Sequence, residues 1–320
     1  MAGGLFGVLR DPGLLAGFRS GRAAEGDRGL QPAGASFRAD QRATGPFSSI
    51  ALAVLRQRLL VALIAIPLLT ALVHLGGWPW AVTVSLILLA AAWEYTHLIR
   101  RIGFSPSPGW IGLMILGFLG DGMAFLPGSR VAELTLTLAP PMALVWFWWI
   151  RRTEHPVADW AFTAAGGLYL GWLGRSFVWL RNLPDPHGRW WVAFVLFTTW
   201  AADTGAYLVG RRWGRHRLAP QWSPGKTWEG FFGGCLAGMG VGAVLGFFIE
   251  LGAGPGALLG LLIGSLGTLG DLSVSVLKRR AGVKDSGNLF PGHGGVLDRL
   301  DSLLWSGMLA YLYAHWIQGF

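Results

Sequence analysis

From about Leu59 onward the chain alternates apolar stretches with short connectors, and this alternation restricts its fold more than any motif does. Nine stretches lie near residues 59–75, 78–97, 109–127, 131–150, 158–179, 190–209, 229–249, 254–276 and 302–318. Each is long enough, or nearly so, to cross a hydrocarbon core of about 30 Å at roughly 1.5 Å per residue. In lipid the backbone must satisfy its own hydrogen bonds, which leaves helices for segments of this length. The expectation is an all-α integral membrane protein with about nine transmembrane helices. Composition agrees, since 52% hydrophobic and 13% charged residues leave too little polar surface for a soluble domain. Glycines interrupt the third and fifth stretches, and Pro140-Pro141 is expected to break the fourth.

The connectors set the orientation. Arg56/Arg58, Arg100/Arg101, Arg151/Arg152, the run from Arg211 to Lys226 and the run from Lys278 to Lys284 fall on one side, which the positive-inside rule places in the cytoplasm with the N-terminus. Nine crossings would put the C-terminus outside. The formal charge of +9 is thereby explained by topology, and no nucleic-acid partner is expected. Cys235 stands alone and forms no intrachain disulfide. Residues 1–55 read as a basic N-terminal arm, without the apolar core of a secretory signal and with acids that weaken an organelle presequence. Residues 56–190 read as scaffold helices facing lipid, and 191–320 as a catalytic region with cytoplasmic loops. No internal repeat is evident.

Charge is uneven along the stretches. Glu94 and Arg175 lie near span ends, where side chains reach water, and Glu94 reads as a structural group rather than the lining of a polar cavity. Asp203 lies deeper, where a carboxylate costs about 3 kcal/mol, so it should face a polar cavity or an interhelical partner. The loop Ser223-Pro224-Gly225-Lys226-Thr227-Trp228-Glu229-Gly230 is no Walker A site, because Pro220 stands where that motif needs glycine. It still combines a turn, hydroxyls and a lysine at a helix start, with Thr227 as the N-cap, and such a turn suits phosphate.

The densest signal runs from Asp271 to Asp301. Asp271, Ser275 and Lys278 share one helix face. Arg279, Arg280, Lys284-Asp285, a Gly-rich turn holding His293, and Asp298-Arg299-Leu300-Asp301 follow. Carboxylates on two helices suit Mg²⁺, which keeps water and substrate phosphates as its other ligands. The ring of lysines and arginines suits polyphosphate and phospholipid headgroups.

The run Ser275-x-Leu277-Lys278-Arg279-x4-Lys284-Asp285-x-Gly287-x2-Phe290-Pro291-x-His293-Gly294-Gly295-Val296-x-Asp298-Arg299-Leu300-Asp301 resembles the signature of the phosphatidate cytidylyltransferases, or CDP-diacylglycerol synthases. Ser223-Pro224-x-Lys226-Thr227-x-Glu229-Gly230 and Asp203-x3-Tyr207 are similar to further segments of that family, so the resemblance covers about residues 198–305. It implies transfer of CMP from CTP to phosphatidic acid, with release of pyrophosphate, in a bacterial inner membrane and at a site facing the cytoplasm. Asp271 and Asp298 would hold Mg²⁺, with a monovalent cation such as K⁺ nearby and Asp285 and Asp301 as further candidate ligands. Lys226, Lys278, Arg279, Lys284 and Arg299 would meet the triphosphate and phosphatidate charges, Ser223 and Thr227 would position phosphates, and Asp203 would line the substrate site. His293 would orient a carboxylate or contact phosphate, ahead of any role as general base. A homodimer is implied by the resemblance alone. A CDP-alcohol phosphotransferase is disfavoured because its Asp-Gly-x2-Ala-Arg run is missing. A lipid or ion transporter leaves the cationic loops unexplained.

Overall fold

The computed structural model describes residues 63, 65–120, 122, 130–184, 186–287 and 294–317. The chain divides at Leu55/Arg56, and the expected N-terminal arm lies outside the described residues. All the elements below belong to the second unit, Arg56–Phe320.

Helix α1 spans Ala65–Leu75. It is followed by α2 (Gly77–Arg101), α3 (Pro108–Gly120), α4 (Val131–Val145), α5 (Pro156–Gly167), α6 (Leu173–Arg181) and α7 (His187–Trp213). A hairpin of β1 (Arg217–Ala219) and β2 (Ser223–Thr227) leads into α8 (Trp228–Leu245), α9 (Ala253–Arg280) and α10 (Leu297–Ile317). Five helices are long and apolar enough to cross a membrane: α2, α4 with its continuation to Arg151, α7, α8 and α9. The shorter or more polar α1, α3, α5–α6 and α10 occupy the remaining apolar stretches. The all-α integral membrane class therefore holds, with the small hairpin as its exception among the described residues.

Pro140-Pro141 does not break the fourth stretch. Helix α4 runs through both prolines and passes into a π-helical turn, Trp146–Arg151. Trp160 donates its indole N–H to the Pro140 carbonyl at 2.8 Å, which ties α5 to this part of α4. A second π-helical turn, Leu168–Trp172, joins α5 to α6.

Helices α2 and α9 end in the same way, and both ends matter for the site. Gly103 and Gly282 adopt φ of 100° and 70°, which costs glycine little. At the first, the N–H of Gly103 bonds to Arg100 and that of Phe104 to Ile99; at the second, Gly282 bonds to Arg279 and Val283 to Lys278. These are Schellman ends, which satisfy the last carbonyls and turn the chain sharply. Basic residues in both last turns favour the negative end of the helix dipole.

One apolar core, with Leu88, Ile99, Val178, Trp191, Phe194 and Leu304 buried in it, runs through both halves of the unit. The seam between α8 and α9 is built differently. Glycines recur every fourth residue, at 234, 238, 242 and 246 on one side and 256, 260 and 264 on the other. A Cβ on Gly238 would meet the Gly260 carbonyl, and one on Gly256 would meet that of Gly242. Without a hydrophobic drive between helices in lipid, such close backbone contact supplies the packing. Gly260→Ala is accordingly expected to destabilise the fold by roughly 2 kcal/mol. Gly240→Ala, whose Cβ meets nothing within 4 Å, is its control. Unfolding midpoints in an SDS titration should fall for the first alone, and equal midpoints would refute the seam.

Candidate active site

The sequence placed Lys226 beside a turn; the structure places it on β2. Thr227 ends that strand in extended conformation and caps α8, its hydroxyl accepting from the Gly230 N–H at 3.1 Å. It is buried, so its hydroxyl is committed to the cap. The base of the hairpin is fixed by Glu229, whose carboxylate accepts from the Arg215 N–H at 3.1 Å and meets His216 Nδ1 at 2.6 Å. Ser223 begins β2 opposite Ala219, half-buried. The sequence did not foresee a strand here because Ser-Pro-Gly reads as a turn.

This hairpin delivers Lys226 to α9, where its ammonium pairs with Asp271 Oδ2 at 2.6 Å and reaches the Thr268 carbonyl at 3.4 Å. The other oxygen of Asp271 accepts from Ser275 Oγ at 3.2 Å, as expected from their shared helix face. A second pair lies one helix away, with Lys278 Nζ 2.6 Å from Asp298 Oδ1. Asp298 Oδ2 accepts from the Ser286 N–H at 2.8 Å and the Gly295 N–H at 3.1 Å, and it lies 3.0 Å from Ser286 Oγ, whose one proton it shares with Glu94. Each aspartate thus has one oxygen anchored and one facing an ammonium.

Asp203 and Asp301 lie with Asp271, close enough for the Asp271 charge to act on both. Ser302 Oγ donates to Asp203 Oδ2 at 3.5 Å, and Asp301 is buried at the crossing of α9 and α10. Gly270 permits that crossing, because a Cβ there would strike the Asp301 carbonyl. The Arg299 charge reaches Asp203 as well. Arg279 is used in bracing, donating Nε to the Trp222 carbonyl at 3.2 Å. Lys284 and Asp285 line a cavity shared with α2. His293 lies outside the described residues.

Among the described residues no three His, Cys, Asp or Glu side chains form a ready metal cage. Mg²⁺ does not require one, since it is commonly held by one or two carboxylates together with substrate phosphates. Asp271 and Asp298 fit that demand. Each offers a hard oxygen to a cation while its second oxygen is held in orientation by other donors.

Glu94 has a larger part than its position near a span end implied. It is 7% exposed on α2, and its Oε1 accepts from the Val296 N–H at 3.0 Å. Oε2 accepts from the Leu297 N–H at 2.9 Å and from Ser286 Oγ at 2.8 Å. A carboxylate from a distant helix therefore caps α10, where the dipole favours negative charge. Ser286, which the motif pattern does not single out, bridges this carboxylate to Asp298. Glu94 combines the two readings: it holds the start of α10 and Ser286, and it also lines a cavity at the end of α2. The signal for it was a carboxylate within an apolar helix that carries no Lys or Arg except at its C-terminal end.

Comparison with known proteins agrees with this layout. The sequence profile of the cytidylyltransferase family matches residues 56–317. A phosphatidate cytidylyltransferase of Bacillus subtilis is 30% identical over 266 residues, covering 81% of this chain and 96% of that protein. One of Brucella suis is 35% identical over 265 residues, covering 81% and 93%. One of Synechocystis is 34% identical over 286 residues, covering 80% and 95%.

Proposed function

Because this chain belongs to the cytidylyltransferase family and is an integral membrane nucleotidyltransferase, we propose that it transfers the CMP moiety of CTP to phosphatidic acid. A phosphate oxygen of phosphatidate attacks the α-phosphorus of CTP, the α–β bridging bond breaks, and pyrophosphate leaves with that bridging oxygen. The product is CDP-diacylglycerol. The reaction takes place on the cytoplasmic face of a bacterial inner membrane that the chain crosses nine times with its N-terminus inside.

The observation that carries this reading is the pair of Asp–Lys contacts, Lys226–Asp271 and Lys278–Asp298, both 2.6 Å and built on one helix, α9, with Asp271 and Lys278 about two turns apart. A phosphate nucleophile is already ionised, so catalysis is positioning and charge neutralisation rather than proton removal. Phosphates entering between the pairs draw Lys226 and Lys278 off their aspartates and onto phosphate oxygens. Thr227 and Ser223 keep β2, and hence Lys226, in place. Arg279 braces the hairpin loop, and Arg299 adds positive charge beside Asp203. Mg²⁺, held by Asp271 and Asp298, would supply Lewis-acid neutralisation of the leaving pyrophosphate.

The test is the purified full-length protein in nanodiscs with CTP and labelled phosphatidate. CDP-diacylglycerol and pyrophosphate should form in equal amounts, and only with Mg²⁺. Turnover without CTP, or transfer to an alcohol acceptor in place of phosphatidate, would overturn the reading.

A further inference from the structure

A cavity of about 560 Å³ lies between the end of α2 and residues 283–287. Its volume suits a ligand headgroup rather than a water cluster. Neither Lys226, Asp271, Lys278 nor Asp298 lines it. The α2 wall is a stripe at helical spacing, Trp93, His97 and Arg101, exposed along its length. Trp93 is 59% exposed and packs at a tilt against His97, their ring centroids 4.6 Å apart. An exposed tryptophan in the last third of a membrane-crossing helix belongs at the lipid interface.

The opposite wall brings Lys284 and Asp285, placed there by the Schellman end of α9. Among the described residues neither Arg101 nor Lys284 has an ion-pair partner. Glu94 also faces the cavity, but its charge is met by two backbone N–H groups and a hydroxyl. Two cations without an ion pair among the described residues outnumber the one carboxylate, Asp285, that is not already met by N–H donors. Beside an exposed tryptophan at a helix end, they match one chemistry, a phosphodiester with acyl chains attached.

We propose that this cavity binds the phosphodiester headgroup of a bulk membrane phospholipid, distinct from the reacting phosphatidate. Its inner wall is formed by Glu94 and Ser286, and Ser286 bonds directly to Asp298. A headgroup seated there packs against Glu94 and Ser286 and favours the arrangement that aims Asp298, so occupancy raises turnover.

The test uses the full chain, first in lipid binding and then in turnover, so the binding arm stands even if the assigned reaction fails. Protein is reconstituted in nanodiscs of phosphatidylcholine, alone or mixed with phosphatidylglycerol or phosphatidylethanolamine, and retained lipid is counted by native mass spectrometry. Wild type should retain one phospholipid beyond phosphatidate, and Arg101→Gln should weaken retention about tenfold, the loss of one charged hydrogen bond. In nonionic detergent with phosphatidate as the sole lipid, turnover should be the same for Arg101→Gln and wild type, while stimulation by an added phosphodiester lipid should vanish in the variant. Preference between the phosphatidylglycerol and phosphatidylethanolamine arms identifies an anionic or a zwitterionic headgroup, and either supports the site. Equal retention by Arg101→Gln overturns the proposal. So does displacement of the lipid by inorganic phosphate, or a rise in the KM for phosphatidate alone, which would make the cavity part of the acceptor's own site.

Discussion

Asp271→Asn is expected to cut kcat for CMP transfer by about a thousandfold, or about 4 kcal/mol of barrier. The substitution keeps the shape of the side chain and an acceptor for Ser275, which donates to Oδ1 at 3.2 Å. It removes the charge that holds Lys226 at 2.6 Å and, with it, half of the proposed cation site. Lys226 is then free to bind phosphate, so KM for CTP should change far less than kcat. The Asp271 side chain is 37% exposed, so its loss should disturb stability little. The equivalent change at Asp298 is harder to read. Lys278 and Asp298 are 12% and 10% exposed, and breaking a buried pair costs about 3–5 kcal/mol of stability on its own. Turnover of Asp271→Asn within about tenfold of wild type, from protein that elutes normally in detergent, would remove Asp271 from the reaction centre.

Glu94→Ala should be the most damaging change outside the two ion pairs. It strips the acceptor from the Val296 and Leu297 N–H groups and leaves Ser286 Oγ with Asp298 alone. Each buried donor left unmet costs about 1–3 kcal/mol, so the turn loosens and Asp298 loses its aim. A fall in kcat of roughly a hundredfold is expected, with KM for CTP little altered. Glu94→Gln keeps one acceptor oxygen and should fall between wild type and alanine. Hydrogen exchange at the Val296 and Leu297 amides separates this role from a general loss of fold: protection should drop there and persist in α8 and α9. Equal activity in the alanine and glutamine variants would refute the clamp.

How much of the fold and the site is legible in the sequence depends on range. The apolar stretches, the Thr227 cap and the Ser275–Asp271 bond are local, governed by helix period and capping chemistry, and they can be read directly. The Lys278–Asp298 pair is half legible, since both residues stand out but not as partners. The association of Asp203 and Asp301 with Asp271 depends on how α7, α9 and α10 cross, and periodicity carries no information about crossing. Glu94 reaches Val296 and Leu297 from across most of the chain, so no local pattern announces it. Pro140-Pro141 misleads for the opposite reason: the local rule predicts a break, and α4 nevertheless continues through both prolines. The glycine recurrence in α8 and α9 is present in the letters, yet only the facing carbonyls reveal it as one seam.

The Glu94 clamp also orders events in time. A ribosome delivers α2 well before α10, and N-terminal segments settle before C-terminal ones. Until α10 emerges, Glu94 has no amides to hold, Ser286 has no Asp298 to bridge, and Lys278 lacks its Asp298 partner. A chain in which α10 has not yet emerged therefore carries the Lys226 hairpin and α9 but lacks the carboxylate and amides that join them to α2. The two halves of the proposed site become one only when α10 docks.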